Sequence, residues 1–108
     1  MRWQAYDPLW LVRLATAQHP DEPWLAEALS ACTACRREGD KYVRFVDATG
    51  ANRPGAAWQY EASVWLVDPD KGNLLLDVLS GRRIGGVEFY DRLFTAGGPA
   101  GAADRGRG

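Results

Sequence analysis

From Trp58 to Tyr90 the chain reads WQYEASVWLVDPDKGNLLLDVLSGRRIGGVEFY. Its apolar residues fall into three runs, and the segments between the runs are rich in Asp, Pro, Gly and Asn or in Ser, Gly and Arg. Apolar runs separated by turn residues predict strands, here over 58–67, 74–79 and 84–90. Because short connections bring consecutive strands side by side, we expect these three strands to be antiparallel neighbours.

One more strand is predicted upstream, over residues 41–47, where the apolar pattern changes from a helical period to a period of two. Between this strand and the next, residues 48–57 contain Gly50, Pro54 and Gly55 and predict a loop longer than a common hairpin turn. The sheet is therefore expected to be a four-stranded antiparallel meander.

Two helices are predicted before the sheet. Asp7 can cap the free amides of a helix that starts at Pro8 and ends near Gln18, since proline fits the first helical position. A second helix is expected to run from about Pro23 to about Gly39. Its apolar stripe has a spacing of three and four residues and consists of Trp24, Leu25, Ala28, Leu29, Cys32 and Cys35. The predicted fold class is α+β, with this N-terminal helical hairpin packed on one face of the sheet.

The domain organisation follows from length and composition. A chain of 108 residues with 46% apolar and 25% charged residues is typical of one folded domain. We expect this single α+β domain to cover residues 1–94. Residues 95–108 are rich in glycine and hold no large apolar side chain. They cannot offset the entropy cost of ordering, so they are predicted to be a disordered tail.

The charge balance argues against two classes of partner. Thirteen basic and fourteen acidic residues give a net charge of −1, which provides no overall field for nucleic acid or for an anionic membrane surface. No apolar run is longer than that at residues 9–12, which is far shorter than the roughly 20 residues that cross a bilayer. The N-terminal residues also lack the pattern of a secretory signal. We therefore expect a cytoplasmic protein with neither a nucleic-acid nor a membrane partner.

The two cysteines, Cys32 and Cys35, have the spacing of a metal or redox pair. A structural zinc site needs four ligands, and His19 is the only histidine in the chain. A redox pair would lie at the start of a helix, whereas this pair lies near the predicted end of one, where the helix dipole opposes a thiolate. We therefore interpret both cysteines as structural thiols and His19 as a structural residue, and we expect neither a metal ion nor a cofactor.

The alternation of the later strands predicts an acidic and aromatic face. If Tyr60, Ala62, Val64 and Leu66 point to the helices, then the opposite face carries Glu61, Trp65, Asp77, Glu88 and Tyr90. Aromatic side chains anchor a partner and carboxylates steer it, so such a face suits a basic partner surface. The alternative is an ordinary solvated face on which Arg44 pairs with acids across strands.

Two other segments are candidates for function or for unusual geometry. The loop at residues 48–57 offers an amide at Asn52 and a cation at Arg53, and loops of this length often carry binding residues. The pair Gly85 and Gly86 precedes no helix and so does not fit a phosphate-binding loop. It predicts instead a bulge or a close approach of another group to the last strand.

Three segments of the chain resemble small bacterial immunity proteins, the antidotes encoded beside polymorphic or contact-dependent toxins. The resemblance rests on residues 58–61, 74–79 and 83–93, and on chain size and strand order. It implies a cytoplasmic protein that binds a toxin domain and blocks its active site, and it implies no catalytic residue.

The sequence therefore predicts a non-enzymatic binding protein with a protein partner. The expected partner-binding residues are Glu61, Trp65, Asp77, Glu88, Tyr90, Asn52 and Arg53. One alternative is a small regulatory domain that binds a ligand or a peptide. Another is an enzyme that uses Glu61 and Glu88 as an acid and base pair.

Overall fold

The computed structural model describes residues 2–90. The helices are α1 (Leu9–Gln18) and α2 (Pro23–Ser30). The strands are β1 (Gln4–Ala5), β2 (Ala34–Glu38), β3 (Tyr42–Arg44), β4 (Tyr60–Asp68), β5 (Gly72–Leu79) and β6 (Arg83–Phe89). The α+β class and the antiparallel pairing are confirmed, but the described sheet has six strands and not four. The predicted tail at residues 95–108 lies outside the described residues.

The strand order is β1-β2-β3-β6-β5-β4, and every neighbouring pair is antiparallel. The meander of β4, β5 and β6 agrees with the prediction. The predicted neighbour of β3 was wrong, because β3 pairs with β6, and two strands, β6 and β5, lie between β3 and β4. The loop at residues 48–57 is long enough to connect β3 to the far side of β5. The register places Val43 opposite Val87, so that both side chains enter the core.

The second helix is shorter than predicted, because α2 ends at Ser30 and residues 34–38 form β2. Cys35 is buried in the core, whereas the next residue, Arg36, pairs in register with Arg44 of β3. The spacing that assigned Cys32 and Cys35 to a helical stripe fits equally well a turn followed by a strand. Pairing with β1 on one side and β3 on the other satisfies the backbone of β2, and this decides between the two structures.

α1 begins one residue later than predicted, because Pro8 is its N-cap residue and Leu9 is its first helical residue. The Asp7 carboxylate accepts a hydrogen bond from the Leu9 amide at 3.0 Å. At the other end, the Gln18 side chain donates to the Val67 carbonyl at 2.7 Å and accepts from the Val67 amide at 2.9 Å. His19 Nε2 lies 3.0 Å from the Trp65 carbonyl. These contacts fix the end of α1 to β4, the strand at one edge of the sheet.

The main core lies between the helices and one face of the sheet, which we call the inner face. Its buried members are Leu11, Ala15, Leu25, Leu29, Cys32, Cys35, Val43, Leu66, Leu74, Leu76, Val78, Ile84 and Val87. Four other buried hydrophobic residues do not belong to this core: Trp58, Leu75, Leu79 and Tyr90. Leu75 and Leu79 alternate with the core residues of β5, so they belong to the opposite face, the outer face. Within the described residues, neither helix is long and apolar enough to cross a membrane.

Gly85 and Gly86 allow two aromatic rings to lie against β6. A Cβ at Gly85 would lie 2.6 Å from the Trp58 ring, and a Cβ at Gly86 would collide with the Tyr42 ring and hydroxyl. The register of β5 and β6 also shifts between Asp77 and Val78. The predicted bulge and close approach are therefore confirmed.

Replacing Gly86 by alanine should destabilise the fold by about 1–3 kcal/mol, because the added methyl group would displace the Tyr42 ring. In a Tyr42→Ala background the same Gly86→Ala change should cost much less, since no ring is left to displace. Urea unfolding of the four proteins measures this coupling. Equal costs in the two backgrounds would contradict the proposed contact.

Candidate functional site

The outer face carries two of the predicted carboxylates on neighbouring strands. Glu88 on β6 lies opposite Tyr42 on one side and Leu75 on the other, and Asp77 on β5 lies opposite Gly86. The Tyr42 hydroxyl donates a hydrogen bond of 2.7 Å to Asp77 Oδ2. Burial, with the Asp77 charge as a further cause, raises the pKa of Tyr42 well above its usual value. Tyr42 is therefore a permanent hydrogen-bond donor that orients Asp77.

Arg44 is enclosed by two rings and one carboxylate. Its guanidinium lies 5.0 Å from the centroid of the Tyr42 ring and 5.0 Å from that of Trp58. It also donates two hydrogen bonds to Glu38, of 2.7 and 2.6 Å. These bonds lower the pKa of Glu38 and raise the pKa of Arg44. Arg44 thus pairs across strands, as the solvated-face alternative predicted, but with Glu38 on β2.

Trp65 and Tyr90 are in contact, but they differ in exposure. Their rings meet edge to face, with centroids 5.3 Å apart and planes at 67°. Trp65 is partly exposed, whereas Tyr90 is only 5% exposed. The prediction that Tyr90 presents its ring to a partner was therefore wrong. The Tyr90 ring packs against Trp65 instead. A hydrogen bond from the Tyr90 amide to the Asn73 carbonyl holds this part of the main chain beside β5.

A bulge changes which residues of β4 share the outer face. Tyr60 pairs with Leu79, and the register shifts between Tyr60 and Ala62. Tyr60 was predicted to point to the helices, but its hydroxyl lies 2.5 Å from that of Ser63, the residue opposite Asp77. Tyr60 therefore lies on the outer face, where it is 49% exposed. Sequence reasoning missed it because alternation alone does not reveal a bulge.

Glu61 falls within this bulge and has no cross-strand partner in the register of β4 and β5. Its side chain is exposed. Leu75 is paired with Trp65 on one side and with Glu88 on the other. Glu88 therefore lies on the second strand from β4, level with Trp65, which is four residues along β4 from Glu61. These offsets correspond to about 9.5 Å and about 13 Å. Paired carboxylates of glycosidases lie about 5–9.5 Å apart, so the separation of Glu61 and Glu88 does not suit that chemistry.

In the loop, Asn52 and Arg53 have different roles. Asn52 has a φ of 68°, and its side-chain oxygen accepts a hydrogen bond of 2.9 Å from the Tyr60 amide. Its backbone amide donates to the Trp58 carbonyl at 2.8 Å. Asn52 therefore shapes the loop where it joins β4, and its side-chain oxygen is already occupied. Arg53 is exposed.

The outer side of β4 forms an exposed apolar strip. Tyr60 is 49% exposed and Val67 is 54% exposed, and the two residues flank the partly exposed Trp65. Val67 follows the buried Leu66 and so shares the outer face with Trp65. We call Tyr60, Trp65 and Val67 the β4 strip. Two of the four large apolar side chains that are most exposed in residues 2–90 belong to it.

Both cysteines are free and buried, in agreement with the structural interpretation. Burial raises the pKa of Cys32 to about 12, which keeps the thiol protonated at neutral pH. Its Sγ donates to the Ala28 carbonyl at 3.6 Å. In residues 2–90, no three side chains of His, Cys, Asp or Glu are grouped so that they could hold a metal ion.

Comparison of the chain with known protein families, with curated proteins and with solved structures gave no match. The assignment of function therefore depends on the geometry of the site.

Replacing Glu38 by glutamine should remove a pH-dependent part of the stability. The folded protein lowers the pKa of Glu38, so its ion pair with Arg44 stabilises the fold above the unfolded pKa of about 4.3, and this stabilisation is lost as the pH falls through the folded pKa. At pH 7 we expect the free energy of unfolding of the wild type to exceed that of the variant by less than about 1 kcal/mol, because the ion pair is partly exposed. The difference should shrink as the pH falls below the unfolded pKa of Glu38.

Urea unfolding at several pH values measures this difference. Glu27→Gln is a matched control, because Glu27 is exposed on α2 and forms no ion pair within the described residues. A Glu38→Gln difference that stays constant down to pH 2 would show that charge pairing with Arg44 contributes nothing.

Proposed function

We propose that this chain is a non-enzymatic binding protein, and that the β4 strip and the acids beside it bind a basic protein partner. The observation that carries the proposal is the exposure of Tyr60 and Val67 on either side of Trp65, on a sheet face that also bears Glu88. Aromatic and apolar side chains held on a rigid sheet lose little entropy on binding. They are the residue types that anchor protein interfaces.

The support beneath the strip favours the same function. Trp65 rests against the buried Tyr90, so its ring is held in place before a partner arrives. Glu61 is exposed next to Tyr60. Glu88 lies on β6, and Leu75 separates it from Trp65. Carboxylates around an apolar centre steer a basic surface towards it and disfavour an acidic one.

The partner class that we propose is a toxin domain, which this chain neutralises by covering its active surface. The resemblance of residues 58–61, 74–79 and 83–93 to small immunity proteins supports this choice. Toxins that act on nucleic acid need basic surfaces, and such surfaces complement acids like Glu61 and Glu88. The cytoplasm is the compartment in which an immunity protein of this kind acts.

Binding to the C-terminal domain of a secreted protein encoded immediately upstream tests this function. Trp65→Ala combined with Glu88→Lys should weaken binding at least 30-fold, because an aromatic anchor is removed and a charge is reversed. Tyr60→Ala alone should weaken binding about tenfold. Calorimetric titration measures the affinities, and thermal unfolding checks that each variant is folded.

Trp24→Ala is the matched control, since Trp24 belongs to α2 on the inner side of the sheet. It should leave the affinity unchanged. Full affinity in the folded Trp65→Ala/Glu88→Lys variant would show that the partner binds elsewhere. The lack of any upstream partner that binds would overturn the toxin assignment.

A further inference from the structure

We propose that a second site, independent of the β4 strip, binds a small amphipathic carboxylate with a chain of about eight carbons. The site is a cavity of about 340 Å³ between the end of α2, the start of β2 and the start of β6. Its wall is mainly apolar and includes Ala28, Ala31, Phe45 and Ile84, and its two cations are Arg82 and Arg83.

The size of the cavity limits its ligand. Binding pockets for small molecules begin at about 300 Å³. A cavity of about 150 Å³ in another protein holds one benzene molecule, so about 340 Å³ holds roughly ten to twelve non-hydrogen atoms. Octanoate has ten. The alanines at positions 28 and 31 leave this space open, because larger side chains there would occupy it.

The charge of the site determines which end of the ligand lies where. Ala28 and Ala31 lie at the carboxyl end of α2, where the helix dipole repels an anion. Arg82, in the turn between β5 and β6, and Arg83, the first residue of β6, line the same cavity. A carboxylate is therefore favoured beside the arginines, and the apolar chain is favoured beside the alanines.

The Arg82 side chain is available to an anion. Its φ of 57° follows a φ of 79° at Gly81, and such values are ordinary in the turn of a hairpin. Its guanidinium lies 5.0 Å from the centroid of the Trp24 ring, and no carboxylate in residues 2–90 forms an ion pair with it. A guanidinium stacked on a ring keeps its N–H groups available at its edges.

Arg83 adds a fixed second cation. Its Nε donates to the Ser80 carbonyl at 3.2 Å, and its Nη2 donates to the Ala57 carbonyl at 2.6 Å. These bonds immobilise the side chain without neutralising its charge. Two guanidinium groups at the same cavity complement a single carboxylate.

Titration with sodium octanoate, followed by amide NMR spectra and calorimetry, tests the site. We expect a dissociation constant on the order of 0.1–1 mM, with shifts of the Ala28, Ala31 and Ile84 amides. Octanol should bind at least tenfold more weakly, and octylamine should not bind. Arg82→Gln should weaken octanoate binding at least fivefold, and Arg82→Lys should weaken it less.

Two further variants locate the ligand. Ala31→Leu should abolish binding by filling the cavity, and Ala31 is exposed, so the fold should tolerate the change. Lys71→Gln is the control, because Lys71 lines a different cavity of about 310 Å³ beside Trp10. Loss of binding in Lys71→Gln, or equal affinities for octanol and octanoate, would overturn the proposal. So would octanoate affinity that is unchanged in both folded Arg82→Gln and folded Ala31→Leu.

Discussion

The Tyr42 ring lies directly on the backbone of Gly86, and the arrangement of the outer face depends on this contact. The ring covers a position on the adjacent strand that has no side chain, an arrangement known to stabilise glycine in sheets. Trp58 does the same at Gly85, and Arg44 is stacked against both rings. The contact thus joins β3, β6 and the end of the long loop into one unit. The Tyr42–Asp77 bond extends this unit to β5.

The parts of the fold that local sequence patterns specify could be predicted. The Asp7–Pro8 start of α1, the three later strands and the close approach at the glycine pair all have signals within a few residues. The two added strands have none. β1 has two residues, and β2 contains Cys35 and Arg36 at spacings that also suit a helix. The structure of β1 is set by partners in β2 that lie about 30 positions away along the chain, and the structure of β2 is set by its pairing with β3.

The candidate binding face divides in the same way. Trp65, Asp77 and Glu88 occupy the face that alternation predicted, because each of them is paired in register with a neighbouring strand. Tyr60 is on the other side of a bulge, and a shift of one residue reverses the face of every side chain beyond it. The burial of Tyr90 and the use of Asn52 inside the loop depend on tertiary contacts. No local pattern reports such contacts.

The Gln18 side chain has a consequence for how this protein resists self-association. The strand at the edge of a sheet has unpaired amides and carbonyls, and a strand of another molecule can pair with them. The Gln18 carboxamide occupies both such groups of Val67, as a neighbouring strand would, and His19 occupies the Trp65 carbonyl. Fibril-like stacking along the second half of β4 therefore requires α1 to detach first. The helical hairpin therefore also hinders pairing of this edge strand with another molecule.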